Sequence, residues 1–266
     1  MSRSVNKMTE MTIREALSWA SSFLQEHGRE SRVAVLLLEH YTGLEGSALF
    51  LEDDRNLSLE EKECFTKAVT THAETGEPYQ HITGLAPFYG RYFRVTPDVL
   101  IPRQETEELM DLIRGEAQPG ERVADIGTGS GVLAVTLALE TEAEVLATDI
   151  STEALSIARK NAESLGADVR FYEGSFLEPL KEEPVDILVS NPPYIAWEEK
   201  AGLDETVKNY DPSLALFADN DGLHAYEMLG EGLKRRSHKP RVVAFEIGHT
   251  QGEAVTRILQ EAVTRV

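Results

Sequence analysis

Cysteine is nearly absent from this sequence of 266 residues, and long apolar runs are absent too. A single cysteine, Cys64, excludes a disulfide within the chain, and its place in a helical pattern predicts a small buried hydrophobic residue. The longest apolar stretches, residues 33–38 and 132–139, are far shorter than the ~18 residues that a membrane-spanning helix needs. The polar stretch Met1–Glu10 lacks the apolar centre of a signal peptide. These features predict a protein of the reducing cytoplasm with no membrane attachment.

Positive charge is also scarce, since 26 Lys and Arg against 46 Asp and Glu give a formal net charge of −20. Such a surface repels a phosphate backbone unless basic residues are segregated in one patch. The densest basic cluster is Lys234-Arg235-Arg236, with Lys239 and Arg241 nearby. Cations at this spacing are typical of the solvated end of a helix, where they suit the helix dipole. The composition argues against free DNA as a partner. It is compatible with another protein as the partner.

Helical patterns dominate the first third of the chain. Apolar residues recur at helical spacing over about residues 12–27, 31–42 and 58–75. Thr12 and Glu15 have the spacing of a capping box at the first of these helices. We predict that the three helices pack on each other as a small bundle.

An aromatic and β-branched segment, Phe88–Val95, marks a change in character. A turn signal, Thr96-Pro97-Asp98, follows it, and Val99-Leu100-Ile101 comes next. This order predicts a β-hairpin from about Phe88 to Ile101 that serves as a linker.

Strands and helices alternate in the rest of the chain, which implies βαβ units and a mostly parallel sheet. The predicted strands are residues 123–126, 144–148, 169–172, 185–190 and 242–247. The predicted helices are residues 104–113, 131–140, 152–165, 223–236 and 253–263. The chain thus divides into a helical domain, a hairpin linker and an α/β domain, over residues 1–85, 86–103 and 104–266.

A glycine-rich loop lies between the first of these strands and its helix, where backbone turns sharply and helix amides face a ligand. Asp125 leads a G-x-G-x-G spacing, whereas the dinucleotide fingerprint needs its third glycine at the position of Val132. This spacing suits S-adenosylmethionine, which carries no pyrophosphate, with Asp149 at the next strand end accepting from ribose hydroxyls. The alternative is a tight turn whose glycines serve packing only. The predicted cofactor-binding residues of the loop are Gly127, Thr128, Gly129, Ser130 and Gly131, and no metal site is predicted.

The turn after the third strand of the α/β domain is predicted to border the adenine ring of that cofactor. Phe176 is placed to stack on the base, and Ser175 to bond its edge. The alternative is that Phe176 simply covers the edge of the sheet.

The tetrapeptide Asn191-Pro192-Pro193-Tyr194 follows the fourth strand directly. Ligands of open α/β sheets bind at the carboxyl ends of strands, so this segment is predicted to face the glycine loop. Two prolines fix φ and remove two donors, which leaves the Asn191 side-chain oxygen and the Pro192 carbonyl as a stiff row of acceptors. Such a row matches an NH₂ group on a planar system, and Tyr194 adds a flat face. The pattern predicts methyl transfer to an amide or aromatic amine nitrogen by positioning and electrostatic stabilisation.

These motifs together resemble the PrmC/HemK peptide-chain release factor glutamine methyltransferases over nearly the whole chain. The tetrapeptide alone is shared with DNA adenine methyltransferases, so the other matching segments make the resemblance specific. The matching segments are the N-terminal helices, Ile82–Gly84, Phe88–Gly90, Val99–Arg103, Glu105–Glu107, Gly127–Gly131, Asp149, Asn191–Tyr194, Asp221–Leu223 and Glu246–Gly248.

The resemblance implies a Rossmann-like class I methyltransferase domain that uses S-adenosylmethionine, preceded by a small helical substrate-recognition domain. It implies methylation of the glutamine in the Gly-Gly-Gln loop of release factors. By the same resemblance the loop, Asp149 and Phe176 bind the cofactor, and Asn191 contacts both the methyl donor and the target amide. Pro192, Pro193 and Tyr194 shape the glutamine pocket. Arg103 and Glu105 line the site or form an ion pair that pins the linker.

The sequence departs from the family pattern at three places. Gln104 stands where the family usually has proline, and Ser175 where it often has aspartate, so a less rigid linker and a weaker adenine contact are expected. The family pattern continues past the last helix with two more strands, whereas this sequence stops at Val266. Loss of both strands is expected to expose a sheet edge.

Three alternative functions stay open at this point. A sister enzyme modifies glutamine on a large-subunit ribosomal protein, and the N-terminal helices would decide between the two substrates. A DNA adenine methyltransferase would need a basic cleft for a flipped base, which the net charge opposes. A non-catalytic protein that binds the cofactor and only docks on a partner is opposed by the presence of Asn191.

Overall fold

The computed structural model describes residues 10–263, and the chain separates into two units, Met1–Gly84 and Leu85–Val266. The described helices of the first unit are α1 (Ile13–Glu26), α2 (Arg32–Thr42), α3 (Ser47–Leu51), α4 (Leu59–Thr75) and α5 (Tyr79–Thr83). The helical periodicity predicts α1, α2 and α4, and these are confirmed. The structure adds α3 and α5, whose one or two turns are too short to give a recognisable periodicity.

Two helices of the first unit, α1 and α4, begin with a capping box, and the box at α1 is the one that the sequence predicts. At α1 the Thr12 hydroxyl accepts from the Glu15 amide at 3.2 Å, and the Glu15 carboxylate accepts from the Thr12 amide at 2.9 Å. At α4, Ser58 and Glu61 make the same reciprocal pair at 3.2 and 2.6 Å. Each pair satisfies amide donors that the first turn leaves free, worth about 1 kcal/mol per cap.

The core of the first unit lies between α1, α2 and α4 and includes Ile13, Ala16, Ala20, Leu24, Leu37, Leu38, Phe65 and Val69. Cys64 is exposed, so the prediction of a buried cysteine is wrong. Adjacent residues of a helix point roughly 100° apart, so burial of Phe65 turns Cys64 away from the core.

The second unit contains the rest of the described elements. Its strands are β1 (Leu85–Phe88), β2 (Arg91–Arg94), β3 (Arg122–Ile126), β4 (Glu144–Asp149), β5 (Val169–Glu173), β6 (Ile187–Ser190), β7 (Ile195–Ala196), β8 (Phe217–Ala218) and β9 (Val242–Phe245). Its helices are α6 (Glu105–Glu116), α7 (Val132–Glu140), α8 (Thr152–Leu165), α9 (Glu205–Tyr210), α10 (Ser213–Leu216), α11 (His224–Arg235) and α12 (Gly252–Val263).

A five-stranded parallel sheet organises this unit, in the order β5-β4-β3-β6-β9. The predicted mostly parallel sheet is therefore confirmed. The chain starts at the central β3, runs outward to β5, and then returns to the other side of β3 as β6. The strand order thus reverses between β3 and β6, and such a switch point opens a crevice at the carboxyl ends of the strands.

Both faces of the sheet are covered, which explains the nearly continuous apolar strands. On one face, Val123 and Ile187 pack with α6 and α7 side chains such as Met110 and Leu133. On the other face, Ala124, Ile126, Leu146 and Leu188 pack with Leu229 and Leu233 of α11. The side chains of β3 therefore alternate between two cores, and its carboxyl end is held between them.

The hairpin differs from its prediction. Its strands are β1 and β2, which pair from Leu85 with Arg94 to Phe88 with Arg91. The turn is Tyr89-Gly90, with φ of 49° and 71°, the left-handed pair that a two-residue hairpin turn requires. A turn does form at residues 96–98, where the Val99 amide donates to the Thr96 carbonyl at 3.1 Å. It is not the turn of the hairpin, however, and the predicted second strand at residues 99–101 is wrong. The predicted linker segment belongs to the second unit, because Phe88 is buried in its core.

The basic cluster near the end of α11 also differs from its prediction. Arg236 is buried rather than solvated and donates to the carbonyl oxygens of Leu180, at 2.9 Å, and Glu183. Lys239 donates to the carbonyl oxygens of Leu233 and Lys234 at the end of the helix, as the dipole argument predicts. Arg236 and Lys239 therefore fasten the end of α11, whereas Lys234 and Arg235 are exposed, as predicted for the end of a helix. In the described part of the chain, no helix combines the length and the apolar character needed to cross a bilayer.

Candidate active site

A cavity of about 760 Å³ opens at the carboxyl ends of the parallel strands, within the size range of small-molecule sites. Loops that follow β3, β4, β5 and β6 contribute to its wall. The predicted site residues that line it are Gly127, Thr128, Gly129, Ser130, Asp149, Ser175, Phe176, Asn191, Pro192 and Pro193. Gly131 and Tyr194 are not among its lining residues. In the described residues, no cluster of His, Cys, Asp and Glu is suited to hold a metal ion.

The glycine loop is held by hydrogen bonds within the protein. The amides of Gly127 and Thr128 both donate to the Thr148 carbonyl at 2.9 Å, and the Gly129 amide donates to Asp149 Oδ2 at 2.9 Å. These three N–H groups therefore face the protein, whereas the prediction that amides at the start of α7 face a ligand concerns later residues and stays a prediction. A donor without phosphate groups does not need a row of free amides, so the loop contributes its shape.

The surroundings of Gly131 support the alternative reading of the loop, in which a glycine is needed for packing. A β-carbon on it would lie 2.9 Å from the Ala158 Cβ of α8, closer than two such atoms approach. Its φ of 84° also lies in the left-handed region. The absence of a side chain there lets the start of α7 pack directly on α8. Gly131 therefore has a packing role, and its contact with the cofactor stays a prediction.

Asp125 is a lining residue that the sequence identifies only as the head of the loop. Its Oδ2 accepts from the Thr128 hydroxyl at 2.6 Å and from the Ala134 amide at 3.2 Å. Its Oδ1 is buried and has no hydrogen-bond partner in residues 10–263. Burial raises the pKa of Asp125 to about 7. A buried carboxyl with an unpartnered oxygen at a cavity wall fits a cationic ligand such as the methionine end of a sulfonium cofactor.

Asp149 ends β4 with a fixed carboxylate. Its Oδ2 accepts from the Gly129 amide and its Oδ1 from the Ser151 amide, both at 2.9 Å. Burial raises the pKa of this carboxyl, and the backbone donors oppose that effect. Each oxygen keeps a further lone pair, so the group is able to accept from a vicinal diol. The geometry fits the ribose of an adenosyl cofactor.

Ser175 and Phe176 line the cavity beyond the end of β5. Phe176 has a φ of 46°, an uncommon conformation for a bulky residue. Its carbonyl accepts from the Thr148 hydroxyl at 3.1 Å, which ties this turn to β4. Phe176 lines the cavity together with the glycine loop and Asp149, and it also packs against the core beside the sheet. Stacking on a base therefore stays a prediction beside the alternative that Phe176 covers the sheet.

Asn191 comes directly after β6 and lines the cavity with Pro192 and Pro193. Its Nδ2 donates to the Thr106 hydroxyl at 3.1 Å, which leaves Oδ1 as the free acceptor of the amide. The hydroxyl of Tyr194 lies 3.5 Å from a carboxylate oxygen of Glu246. Asn191 and Pro192 of the predicted acceptor row therefore line the cavity, whereas Tyr194 does not line it and contacts Glu246. Their role as acceptors stays a prediction.

Arg103 both lines the cavity and forms an ion pair with Asp211 at 2.6 Å. The Asp211 carboxyl is buried, which raises its pKa, and Arg103 opposes that effect. Glu105 is not among the lining residues. Arg103 thus lines the cavity and also pins the segment before α6, but its partner in this ion pair is Asp211 and not Glu105 as predicted.

An aromatic wall at the cavity is absent from the sequence predictions. The rings of Trp197 and Phe217 stack at 4.6 Å, and both residues line the cavity. The Lys200 ammonium lies 5.8 Å and 5.4 Å from the two ring centroids. Trp197 remains 46% exposed. Trp197 follows β7 and Phe217 begins β8, and the pairing of these two short strands brings the residues together. Because they are distant in sequence, no local motif predicts their contact.

Comparison with known proteins agrees with this architecture. The PrmC N-terminal domain matches residues 15–84, and the methyltransferase small domain matches residues 105–207. The release factor glutamine methyltransferase of Bacillus cereus is 44% identical over 260 residues, 95% of this chain and 92% of that protein. The Bacillus subtilis protein of the same name is 47% identical over 94% of this chain and 90% of its own length. A methyltransferase structure from Pyrococcus furiosus is 18% identical over 76% of this chain and 84% of its own, with a TM-score of 0.44.

Fold and site together define a class I methyltransferase that uses S-adenosylmethionine. The sequence identity and the coverage of the matches define one family within this class. The chain belongs to the release factor glutamine methyltransferase family.

Proposed function

We infer that this protein transfers the methyl group of S-adenosylmethionine to the side-chain amide nitrogen of a glutamine in a peptide-chain release factor. Membership of the family supports this activity. One observation of the site supports it too: Asp149 and the Asn191-Pro192-Pro193 segment line one cavity at the switch point of the sheet. The target we propose is the glutamine of the Gly-Gly-Gln loop, and the reaction takes place in the cytoplasm.

The cofactor supplies a methyl group on a positively charged sulfur, which is a good leaving group. We assign the ribose hydroxyls to Asp149 and the adenine to Ser175 and Phe176. The loop Gly127–Ser130 shapes the floor between them. Asp125 holds the cationic methionine end, because its unpartnered buried oxygen needs a positive neighbour.

The acceptor nitrogen is a weak nucleophile because its lone pair is delocalised into the carbonyl. Asn191 Oδ1 and the Pro192 carbonyl accept its two N–H bonds, so that the nitrogen turns pyramidal and its lone pair points at the methyl carbon. The lone pair forms the new N–C bond as the C–S bond breaks. The nitrogen then loses a proton to solvent, and no strong base is needed before transfer. Positioning and electrostatic stabilisation therefore supply the catalysis.

The two prolines make this arrangement stiff. They fix φ at residues 192 and 193 and donate nothing, so the segment presents acceptors only. An acceptor-only wall selects an NH₂ group over a hydroxyl or a carboxylate. This selectivity matches glutamine and excludes glutamate.

The first unit is the proposed recognition domain for the protein substrate. The family match over residues 15–84 supports this assignment. Residues 1–85 therefore stay our prediction for the partner-selecting part, and residues 104–266 for the catalytic part.

Mass spectrometry of tryptic release-factor peptides, after incubation with the enzyme and the methyl donor, tests this function. We expect a gain of one methyl group on the glutamine of the Gly-Gly-Gln peptide. Large-subunit ribosomal proteins incubated in parallel are the matched comparison. Labelling confined to a ribosomal protein would assign the sister activity, and cofactor binding without labelling of either would make the protein a non-catalytic binder.

A further inference from the structure

We propose that Glu246 is a positioning residue, which acts on Asn191 both directly and through Thr106 to fix the end of the Asn191 amide that faces the cavity. This inference rests on the proposed glutamine methylation. It assigns to the segment after β9 a role in the reaction, although that segment need not touch the substrate.

Three side chains form a directed chain of hydrogen bonds. The Thr106 hydroxyl donates to Glu246 Oε2 at 2.8 Å, and Asn191 Nδ2 donates to the Thr106 hydroxyl at 3.1 Å. Thr106 is only 3% exposed, so water does not compete for these bonds. A carboxylate only accepts, and a hydroxyl has one proton to give. The proton of Thr106 is therefore committed to Glu246, and its oxygen is left to accept.

This direction determines the orientation of the Asn191 side chain. The oxygen and nitrogen ends of an amide have nearly the same shape, so hydrogen bonds alone distinguish them. With the Thr106 proton committed, only the NH₂ end of Asn191 pairs with Thr106. The Asn191 side chain also donates directly to the Glu246 carboxylate, which again requires the NH₂ end. The oxygen end then faces the cavity, where the proposed mechanism needs an acceptor. In the reversed orientation, Asn191 would turn N–H donors toward the N–H donors of a glutamine.

Glu246 itself is held in place from several sides. Its amide donates to the Ser190 carbonyl at 3.0 Å, and its carbonyl accepts from the Tyr226 hydroxyl at 2.9 Å. The Tyr194 hydroxyl lies 3.5 Å from Oε1. Five residues later, Gln251 Nε2 donates to the Tyr194 carbonyl at 2.9 Å. The segment after β9 therefore supports the acceptor tetrapeptide at both of its ends.

Two substitutions interrupt the chain of hydrogen bonds without changing side-chain volume much. Glu246→Gln lets the new amide donate to Thr106, and Thr106→Val removes the hydroxyl. We expect kcat for methylation of a release factor to fall about tenfold to a hundredfold in each variant, the scale of losing one oriented polar group. The dissociation constant of S-adenosylmethionine should stay within about threefold, because neither residue is assigned to the cofactor. Thr106→Ser keeps the hydroxyl and should retain most of kcat.

A second measurement distinguishes a changed orientation of the Asn191 amide from a general structural effect of the substitution. A release factor with Gly-Gly-Glu in place of Gly-Gly-Gln serves as a competitive inhibitor. The wild-type site should reject its carboxylate, since Asn191 Oδ1 and the Pro192 carbonyl offer no donor. In Glu246→Gln the Asn191 NH₂ loses its carboxylate acceptor and is free to turn inward, so the inhibitor should bind at least about tenfold more tightly relative to the substrate. In Thr106→Val the Glu246 carboxylate still accepts from Asn191, so the gain in inhibitor binding should be smaller.

Thr136→Val is the matched control. Thr136 is a fully buried helical threonine whose hydroxyl has no hydrogen-bond partner in the described residues. Its replacement should leave kcat and the preference for glutamine over glutamate unchanged.

The outcomes separate the two proposals. Wild-type enzyme that binds the cofactor but leaves the release factor unmethylated overturns the function and, with it, this role of Glu246. Wild-type enzyme that methylates, with variants of unchanged kcat, overturns the positioning role alone. A loss of kcat with an unchanged preference for glutamine over glutamate also overturns it, because the loss would then be structural.

Discussion

Asp125 is the residue whose ionisation is most perturbed by its surroundings in the cavity. Burial raises its pKa from 3.8 to about 7, so the folded protein keeps a proton there at pH values where the unfolded chain has lost it. The folded state therefore gains stability from this group below about pH 4 and loses it as pH rises through 7. The full difference amounts to about 4 kcal/mol by the usual conversion.

We predict that thermal stability without cofactor falls between pH 5 and about pH 8, with Asp125 contributing to the slope. Asp125→Asn should flatten that slope, since an amide does not titrate. The measurement is the melting temperature of both proteins across this range, and the difference between them isolates Asp125. Parallel curves for the two proteins would show that Asp125 does not titrate there.

Substitutions of Asn191 and Asp149 should affect different steps, methyl transfer in the first case and binding of the cofactor in the second. Asn191→Ala removes the acceptor that orients the target nitrogen, so methyl transfer should be abolished. Its affinity for the methyl donor should stay within roughly tenfold, or ~1.4 kcal/mol. Asp149→Ala should instead weaken binding of the methyl donor first, because it removes the ribose acceptor and the partner of the Gly129 amide. Calorimetry with the donor and single-turnover assays measure the two effects, and normal turnover in Asn191→Ala would refute the mechanism.

At the scale of elements, the segment between β6 and β8 carries the aromatic wall. Trp197 is exposed at the cavity and stacks on Phe217, so we expect it to contact the acceptor peptide. Trp197→Ala should raise KM for the release factor about tenfold, a typical loss for an aromatic contact, with little change in cofactor affinity. Leu112→Ala is the control, since Leu112 is exposed on α6 and is not a lining residue. Steady-state kinetics that show equal KM values for the two variants would contradict a role in substrate binding.

Elements with strong local signals are predictable from this sequence. The capping boxes at Thr12 and Ser58 and the apolar strand β3 need only neighbouring residues, so α1, α4 and the parallel sheet follow from the pattern. The hairpin turn at Tyr89-Gly90 does not follow, because Thr96-Pro97-Asp98 is a stronger turn signal than Tyr-Gly.

The residues of the candidate site also fall into two groups, those that a local sequence pattern predicts and those that it does not. The loop, Asp149 and Asn191 are recognisable because a strand end and a motif coincide at each. Glu246, Thr106 and Trp197 act through contacts between segments that are distant in sequence, such as the 140 positions that separate Thr106 from Glu246. No local pattern encodes such a contact, so only the folded chain reveals it.

At the scale of the whole molecule, the formal charge of −20 argues against a polyanionic partner such as DNA. The structure adds that Arg236 is buried and that Arg241 pairs with Glu116 and Glu121, so these residues of the basic cluster are already engaged. We predict no measurable binding to duplex DNA at about 50 mM salt, where phosphate contacts are strongest. Fluorescence anisotropy with a labelled duplex tests this, and tight binding that weakens steeply by about 200 mM salt would favour a DNA substrate instead.

The bonds from Gly127, Thr128 and Gly129 to Thr148 and Asp149 have a consequence for how tightly a donor is held. Ordering a flexible segment costs roughly 1–2 kcal/mol for each residue whose backbone is fixed. A loop whose N–H groups are already satisfied by β4 has met that cost during folding. Most of the donor's interaction energy thus remains available as affinity, and the rate of donor exchange is not set by rearrangement of this loop.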